Sequence, residues 1–381
     1  MNLALSDEQV FLREAARGTL SRFQTLEAAR DALDGDENAL PDMWPAAREA
    51  GWPGLLIDEA HGGAGLDAFD AMLVMGECGR VLAAIPLLGH LPATAILSDS
   101  PNAAEFLADL ASGERRAAYL PSCPPDDVHE RWSGDPEDGM RRAELPSAVP
   151  GDEAGRVRLN GKFAFVPDAP GADALVGVAV LEGRPVGVAV LGDASGVEVE
   201  PVRRYDATRS LGHVSLNDAP GVLLDAPEES LAAAWHLAQA LIAADSLGSV
   251  ETALEMSVAY AKERHTFGRA IGSYQAVKHS LTEVLRQLEN GRSLLYYAGW
   301  ARRGAPAEFP LAASAARSVA GRALDYGART MISVHGGIGA TWEHDAPLYF
   351  RRSELSRRLL GGTALASDRV AGELMAQATA A

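Results

Sequence analysis

Hydrophobic positions recur at helical spacing in four stretches near the start of the chain, 12–23, 43–50, 68–82 and 103–111, with glycine and proline between them. The opening residues read as an amphipathic helix in which Ser6 and Gln9 stand three apart as a capping box. From about 115 to 225 the period changes. Short runs such as VRLNGKFAFV, ALVGVAVL, PVGVAVL and GHVSLND are cut by Gly, Pro and Asp, the pattern of a small β domain. Ahead of them, PSCPPDDVHERWSGDPEDGMRRAELPSAVPGDE is rich in Pro, Asp and Glu and poor in apolar residues, and predicts a long mobile loop rather than strands. Residues 228–264 contain no proline and carry Leu237, Leu241, Ala244, Leu254 and Val258 near helical spacing, which predicts one long buried helix. Ser273 is placed to cap a second helix through Leu281, Val284, Leu285 and Leu288, and 312–334 and 364–378 supply two more. The expected fold is α+β, multi-domain and mainly α: an N-terminal helical domain (1–113), a middle β domain (114–226) and a C-terminal four-helix bundle (227–381).

Composition narrows the partners. With 381 residues, 47% of them hydrophobic, the chain can bury a large core across two or three domains. A net charge of -18 sets its surface against nucleic-acid phosphates and anionic membranes, so neither is expected as a partner. No run approaches the ~18 apolar residues needed to cross a bilayer. The two cysteines, Cys78 and Cys123, form no CxxC pair, and no histidines stand at metal-ligand spacing, so neither a disulfide framework nor a zinc site is expected. The N-terminus lacks the basic-then-apolar order of a signal peptide, which points to the cytoplasm. GWPGLLIDEAHGGAGLD, with five glycines, reads as an inter-helix loop because no Lys follows in Walker spacing.

The segment YAKERHTFGRAIGSYQAVKH at 260–279 resembles the signature of the acyl-CoA dehydrogenase family. HGGIGATWEHDAPLYFRR at 335–352 is similar to the family's later glycine turn, and RRYDATRSLGHVSLNDAP and GWPGLLIDEAHGGAGL extend the likeness over nearly the whole chain. The resemblance implies FAD as cofactor, bound mainly by a neighbouring subunit. On that basis Arg264 neutralises the pyrophosphate, Thr266 hydrogen-bonds to it, Phe267 packs on the cofactor and Gln275 adds a polar contact. A guanidinium suits phosphate oxygens, and a Phe-Gly turn lets backbone approach a ligand closely. Taken alone, Arg264 would read as a surface partner of Glu263. Gly336 and Gly337 match glycines that pass close to the neighbour's FAD, Ser333 stands where the family usually has Gln, and Thr363 is carried over as a further contact. His335, Glu343, His344 and Asp345 fit no helix-face ligand set, and no metal is expected.

Other family features are missing. The family's chemistry needs a glutamate to remove a proton beside the thioester carbonyl. In one branch it precedes Gly-Thr near the C-terminus, where this chain has Gly361 before Gly362 and Thr363; in the other it lies 29 residues before the signature Phe, which falls on Ala238. The family's Thr-Glu-Pro-Gly-rich Ser-Asp loop, whose hydroxyls and amides hold the flavin ring, is replaced by LPSCPPDDVHERW, and its Trp-Ile-Thr strand by Phe165-Val166-Pro167. Proline donates no backbone hydrogen bond. The resemblance therefore implies the non-catalytic, beta-type subunit of a heterotetrameric acyl-CoA dehydrogenase. Such a chain completes the FAD site of a homologous catalytic subunit, which takes most of the acyl-CoA, and the resemblance extends to members that act on bulky steroid-type thioesters. One alternative is a homomeric enzyme with a displaced base, Asp245, seven residues or about two turns after Ala238. The other is a scaffold or acyl-CoA binder without redox function.

Overall fold

The computed structural model describes residues 4–35, 39–126, 129–137 and 141–380. Six helices come first: α1 (Asp7–Leu20), α2 (Thr25–Asp34), α3 (Trp44–Glu49), α4 (Ala68–Arg80), α5 (Leu87–Ser98) and α6 (Ala104–Ala111). The expected capping box starts α1, with Ser6 Oγ accepting from the Gln9 amide and Gln9 Oε1 from the Ser6 amide. Two helices fall outside the periodicity reading. α5 is apolar almost throughout and buried nearly all round, so it carries no stripe, and Pro92 inside it reads as a break. α2 shows the core only Leu26, Ala29 and Leu33, too few turns to display a period.

The strands follow as β1 (Ala117–Tyr119), β2 (Ser133–Gly134), β3 (Arg142–Ala143), β4 (Ser147–Pro150), β5 (Arg156–Pro167), β6 (Ala174–Leu181), β7 (Arg184–Leu191), β8 (Val197–Pro201) and β9 (Leu211–Leu224). Pairing runs β6–β4–β5–β9–β7 and returns to β6, which closes a small barrel. β1 extends the β4 edge of β6 in parallel, and β8 lies along β9. Alternate residues such as Leu159, Phe163, Val188 and Val214 fill the interior. The acidic, proline-rich stretch ahead of β5 is more ordered than its composition predicts. β2 pairs with β3, Cys123 bridges to Trp132, and β4 joins the barrel, because backbone pairing within the stretch and with the barrel offsets the low local hydrophobicity. Residues 127, 128 and 138–140 of that stretch lie outside the described residues.

Helices then return as α7 (Glu228–Glu263), α8 (Gln275–Gly304), α9 (Phe309–His335), α10 (Ala346–Ser356) and α11 (Gly362–Ala380), with a hairpin of β10 (His265–Thr266) and β11 (Arg269–Ala270) between α7 and α8. α7, α8, α9 and α11 form the bundle, and α10 crosses it. At 36 residues α7 is about 54 Å long. Glycines let α4 lie directly against it: a Cβ at Gly79 would stand 1.9 Å from the Asp245 carbonyl oxygen, and one at Gly248 1.9 Å from that of Gly76. Ser273 does not cap α8 as its position suggests. Tyr274 takes the N-cap position without a side-chain bond, and Ser273 Oγ instead donates back to the Ala270 carbonyl at 2.7 Å. Among the described residues no helix is long and apolar enough to cross a membrane.

The barrel docks on α5 through Asp168, a left-handed residue (φ 60°) just beyond β5. Its Oδ2 accepts from the Gly89 amide in the first turn of α5 at 2.8 Å. Burial pushes the carboxyl up to about 6, although the Gly89 bond and the Arg209, Arg116 and Arg204 charges pull the other way. A carboxyl raised above its unfolded value of about 3.9 adds stability that is complete below that pH and disappears as pH rises through 6. Asp168→Asn keeps an acceptor for Gly89 without a charge. It should raise Tm at pH 8 and leave it unchanged near pH 4; a lower Tm at pH 8 in a calorimetric pH series would contradict this.

Candidate cofactor-binding site

The β10–β11 hairpin turns on Phe267 and Gly268, both left-handed (φ 49° and 78°), a two-residue turn suited to the twist of paired strands. Two contacts stiffen it: Tyr274 Oη donates to the Thr266 carbonyl at 3.2 Å, and the Arg269 guanidinium lies 3.9 Å over the Tyr274 ring. The turn holds Phe267 out into solvent, 94% exposed. A large aromatic side chain so presented, on a backbone conformation that costs energy, marks a contact surface rather than core. Beneath it lies an open groove of about 490 Å³ whose lining includes Thr266, Phe267, Tyr274, Ser280, Thr330 and Ser333.

Thr266 and Phe267 therefore meet Ser333, more than 60 residues further along the chain, in one groove. Arg264 immediately precedes the hairpin, its carbonyl accepting from the Ile271 amide at 2.8 Å. Its side chain is exposed and has no partner among the described residues, so the surface pair with Glu263 does not form. Gln275 opens α8 beside lining residues Tyr274 and Ala276 and is exposed. Gly336 ends α9 with φ 64°, and a Cβ on it or on Gly337 would meet nothing within 4 Å, so this turn faces open space. The His335 ring that precedes it lies tilted against those of Tyr260 (4.4 Å between centres) and His344 (4.2 Å), while Asp345 pairs with Arg30. Among the described residues no cluster of His, Cys, Asp and Glu is arranged to hold a metal. Ser280 and Thr330 escaped the sequence reading; Thr330 sits one turn before Ser333 on α9, a helical spacing that could have located it. Thr363 lies elsewhere. It packs on Gly321, nine residues or about 14 Å along α9 from Thr330.

Asp245 occupies a different setting. It is 1% exposed on α7; its oxygens accept from Arg352 Nη1 of α10 at 2.7 and 3.0 Å, and Arg209 Nη2 lies 2.7 Å away. Arg352 also donates from Nε to Asp206 at 2.7 Å and to Thr208 Oγ1 at 2.5 Å. Burial opposes the Arg352 charge, yet Asp206 and Asp245 hold it more firmly protonated than usual. Both Asp245 oxygens are thus engaged by fixed cations in a closed site, which is the environment of a structural counter-ion and not of a base that must meet a substrate.

The two positions where a base would stand are filled. Ala238 is 1% exposed inside α7. Gly361 is left-handed (φ 80°), and a Cβ there would lie 2.4 Å from Leu365 Cδ2 and 3.3 Å from the Trp132 ring. Arg317, fully buried, donates to the Ser356 carbonyl and, at 3.3 Å, to that of Leu359, which holds this turn in place. On the barrel side, the Phe165 amide is engaged by His213 Nδ1 at 3.4 Å, and Pro167 has no amide hydrogen. The outward groove brings together an exposed guanidinium, an exposed aromatic ring and open glycine backbone, groups whose chemistry suits a phosphate-bearing cofactor such as FAD. The inward half-site does not fit a flavin ring.

Two family models match the chain: "Acyl-CoA dehydrogenase, N-terminal domain" over residues 6–123 and "Acyl-CoA dehydrogenase, C-terminal domain" over 232–375. It is 30% identical over 356 residues to acyl-CoA dehydrogenase IpdE2 of Mycobacterium tuberculosis, 93% of each chain being covered. Among solved structures it is similar to the Tcur3481–Tcur3483 steroid ACAD (27% identity, TM-score 0.84, 98% of this chain and 99% of that one). It is also similar to the ChsE4–ChsE5 complex from Mycobacterium tuberculosis (25% identity, TM-score 0.85, the same coverage).

The two roles of Asp245 separate experimentally. Asp245→Asn should lower the unfolding free energy by about 3–5 kcal/mol in a denaturant titration, because it leaves Arg352 and Arg209 short of a buried counter-charge. Turnover per folded protein should stay unchanged. Wild-type stability combined with lost turnover would make Asp245 a base.

Proposed function

Because the chain belongs to the acyl-CoA dehydrogenase family of oxidoreductases, we propose that it is the supporting subunit of a heteromeric, FAD-dependent member, completing across the interface the cofactor site of a homologous partner that carries the base. One contrast carries this reading: Phe267 and the groove below it stand open, while the base positions hold no carboxylate, Ala238 being buried and the left-handed Gly361 packed against Leu365 and Trp132. That ChsE4–ChsE5 is a complex of two chains supports a paired assembly. That Tcur3481–Tcur3483 is a steroid ACAD supports a bulky, steroid-type acyl-CoA as the substrate class.

The bound flavin supplies the hydride acceptor for α,β-desaturation. This chain's own contribution is to binding. Arg264 faces the pyrophosphate charge, with Thr266 and Gln275 as hydrogen-bond partners. Phe267 covers apolar cofactor surface, Ser333 offers a shorter polar contact than a Gln would, and Gly336 and Gly337 admit close backbone approach. The chain needs no base of its own in this arrangement. A homomeric enzyme using Asp245 is disfavoured by the closed ion pairs around that carboxylate. A redox-inactive scaffold gives no reason for a rigid hairpin that projects Phe267 beside an unpaired arginine.

Flavin absorbance near about 450 nm, which belongs to the oxidised cofactor, tests the reading directly. The chain purified alone should be colourless, and complexes co-expressed with glutamate-bearing relatives should be yellow. A yellow lone chain that bleaches with acyl-CoA would overturn the proposal, and absence of flavin from every assembly would favour the scaffold. Within the complex, Arg264→Ala should weaken FAD binding about 10- to 100-fold by removing a charge-assisted hydrogen bond. Unchanged FAD retention on dilution would count against the role given to Arg264.

A further inference from the structure

The residues that do not fit a flavin ring converge on one side chain. Trp132 leaves the β-bridge to Cys123 and points at the turn of Gly361, where its ring lies 3.3 Å from the position of a Cβ. It meets Trp235 of α7, one turn before Ala238, edge to face at 5.8 Å. The Arg142 guanidinium lies 5.1 Å from the Trp132 ring centre. Just beyond it, Gly134 runs against Ala164 of β5, with only 3.2 Å between its Cβ position and that methyl group. The indole thus abuts the Gly361 turn and the turn of α7 that precedes Ala238, while its own strand runs against β5 beside Phe165.

The segment bearing that indole is tied down at both ends. Arg369 of α11, 6% exposed, donates to the Pro124 carbonyl at 2.8 Å and pairs with Asp126 at 3.2 Å. Arg131 pairs with Glu228 at the start of α7. Cys123 donates its amide to the Trp132 carbonyl at 3.0 Å, and Ser133 Oγ donates to the Glu144 carbonyl at 3.1 Å. Prolines at 121, 124 and 125 restrict the backbone between these ties.

We propose that Trp132, held in place by Arg369, fills the space a flavin ring would need in this chain, so that the inward half-site is closed sterically as well as stripped of hydrogen-bond donors. The inference rests on the partner-subunit reading and explains how one half of a pair is kept free of flavin: the strap excludes the ring before any polar contact is tested.

Riboflavin, which carries the ring without the pyrophosphate, is the probe, and quenching of its fluorescence by the full-length chain purified alone is the readout. The wild-type chain should bind it weakly. Trp132→Ala should bind it about tenfold or more tightly, and Arg369→Ala, which releases the strap and leaves the indole, should fall between. Should the alanine variant not fold, Trp132→Leu, which keeps an apolar contact with Trp235 and frees ring volume, carries the same test. Equal affinity in the wild-type chain and the folded Trp132 variant overturns the inference. That failure is distinguishable from failure of the partner-subunit reading, which is judged by FAD retained in the assembled complex and its response to Arg264→Ala.

Discussion

The buried charge network around Arg352 is the constraint on which the rest of the structure depends. One guanidinium, fully enclosed, bonds Asp206 and Thr208 of the barrel and Asp245 of α7, and Arg209 completes the set from the barrel side. Charges this deep are tolerated only when every partner is in place, so the network admits a single relative placement of barrel, long helix and α10. It also sets the function of its members. Asp245, 1% exposed, is held by two cations and is closed off from the surface.

With that frame locked, the end of α7 and the end of α9 come together, and two short turns inherit their positions. The Phe267–Gly268 turn and the Gly336–Gly337 turn both adopt backbone conformations that favour glycine, and both present open surface outward. Inward, the comparable turn at Leu360–Gly361 is also left-handed, yet it is packed by Leu365 and Trp132. The same backbone device is thus used twice with opposite outcomes. The difference lies in what packs against each turn, which leaves the outer pair open and the inner one closed.

The Pro-rich segment 121–132 shows how tertiary partners override composition. By itself it cannot bury enough apolar surface to order. Arg369 and Glu228 supply partners from chain more than 90 residues away, and the described residues on either side of 127 and 128 are held in place. α5 makes the complementary point, since a helix enclosed on all sides needs no stripe and so displays none.

The sequence by itself determined the order helices, strands, helices, the unbroken length of α7, the Ser6–Gln9 box and the absence of a glutamate at 238 and 361. These are local matters of period, capping chemistry and residue identity, which neighbours in space do not alter. The residues of the outer groove were legible only through a motif, and periodicity alone gave no reason to join Thr266 to Ser333. Only the tertiary structure decided that Asp245 is clamped, that Ser273 does not cap, that Thr363 lies away from the groove and that Trp132 stands over Gly361. The Ser273 hydroxyl was drawn by a local carbonyl three residues back, and the other three depend on what packs from elsewhere in the chain, which leaves no trace in the spacing of the residues that meet.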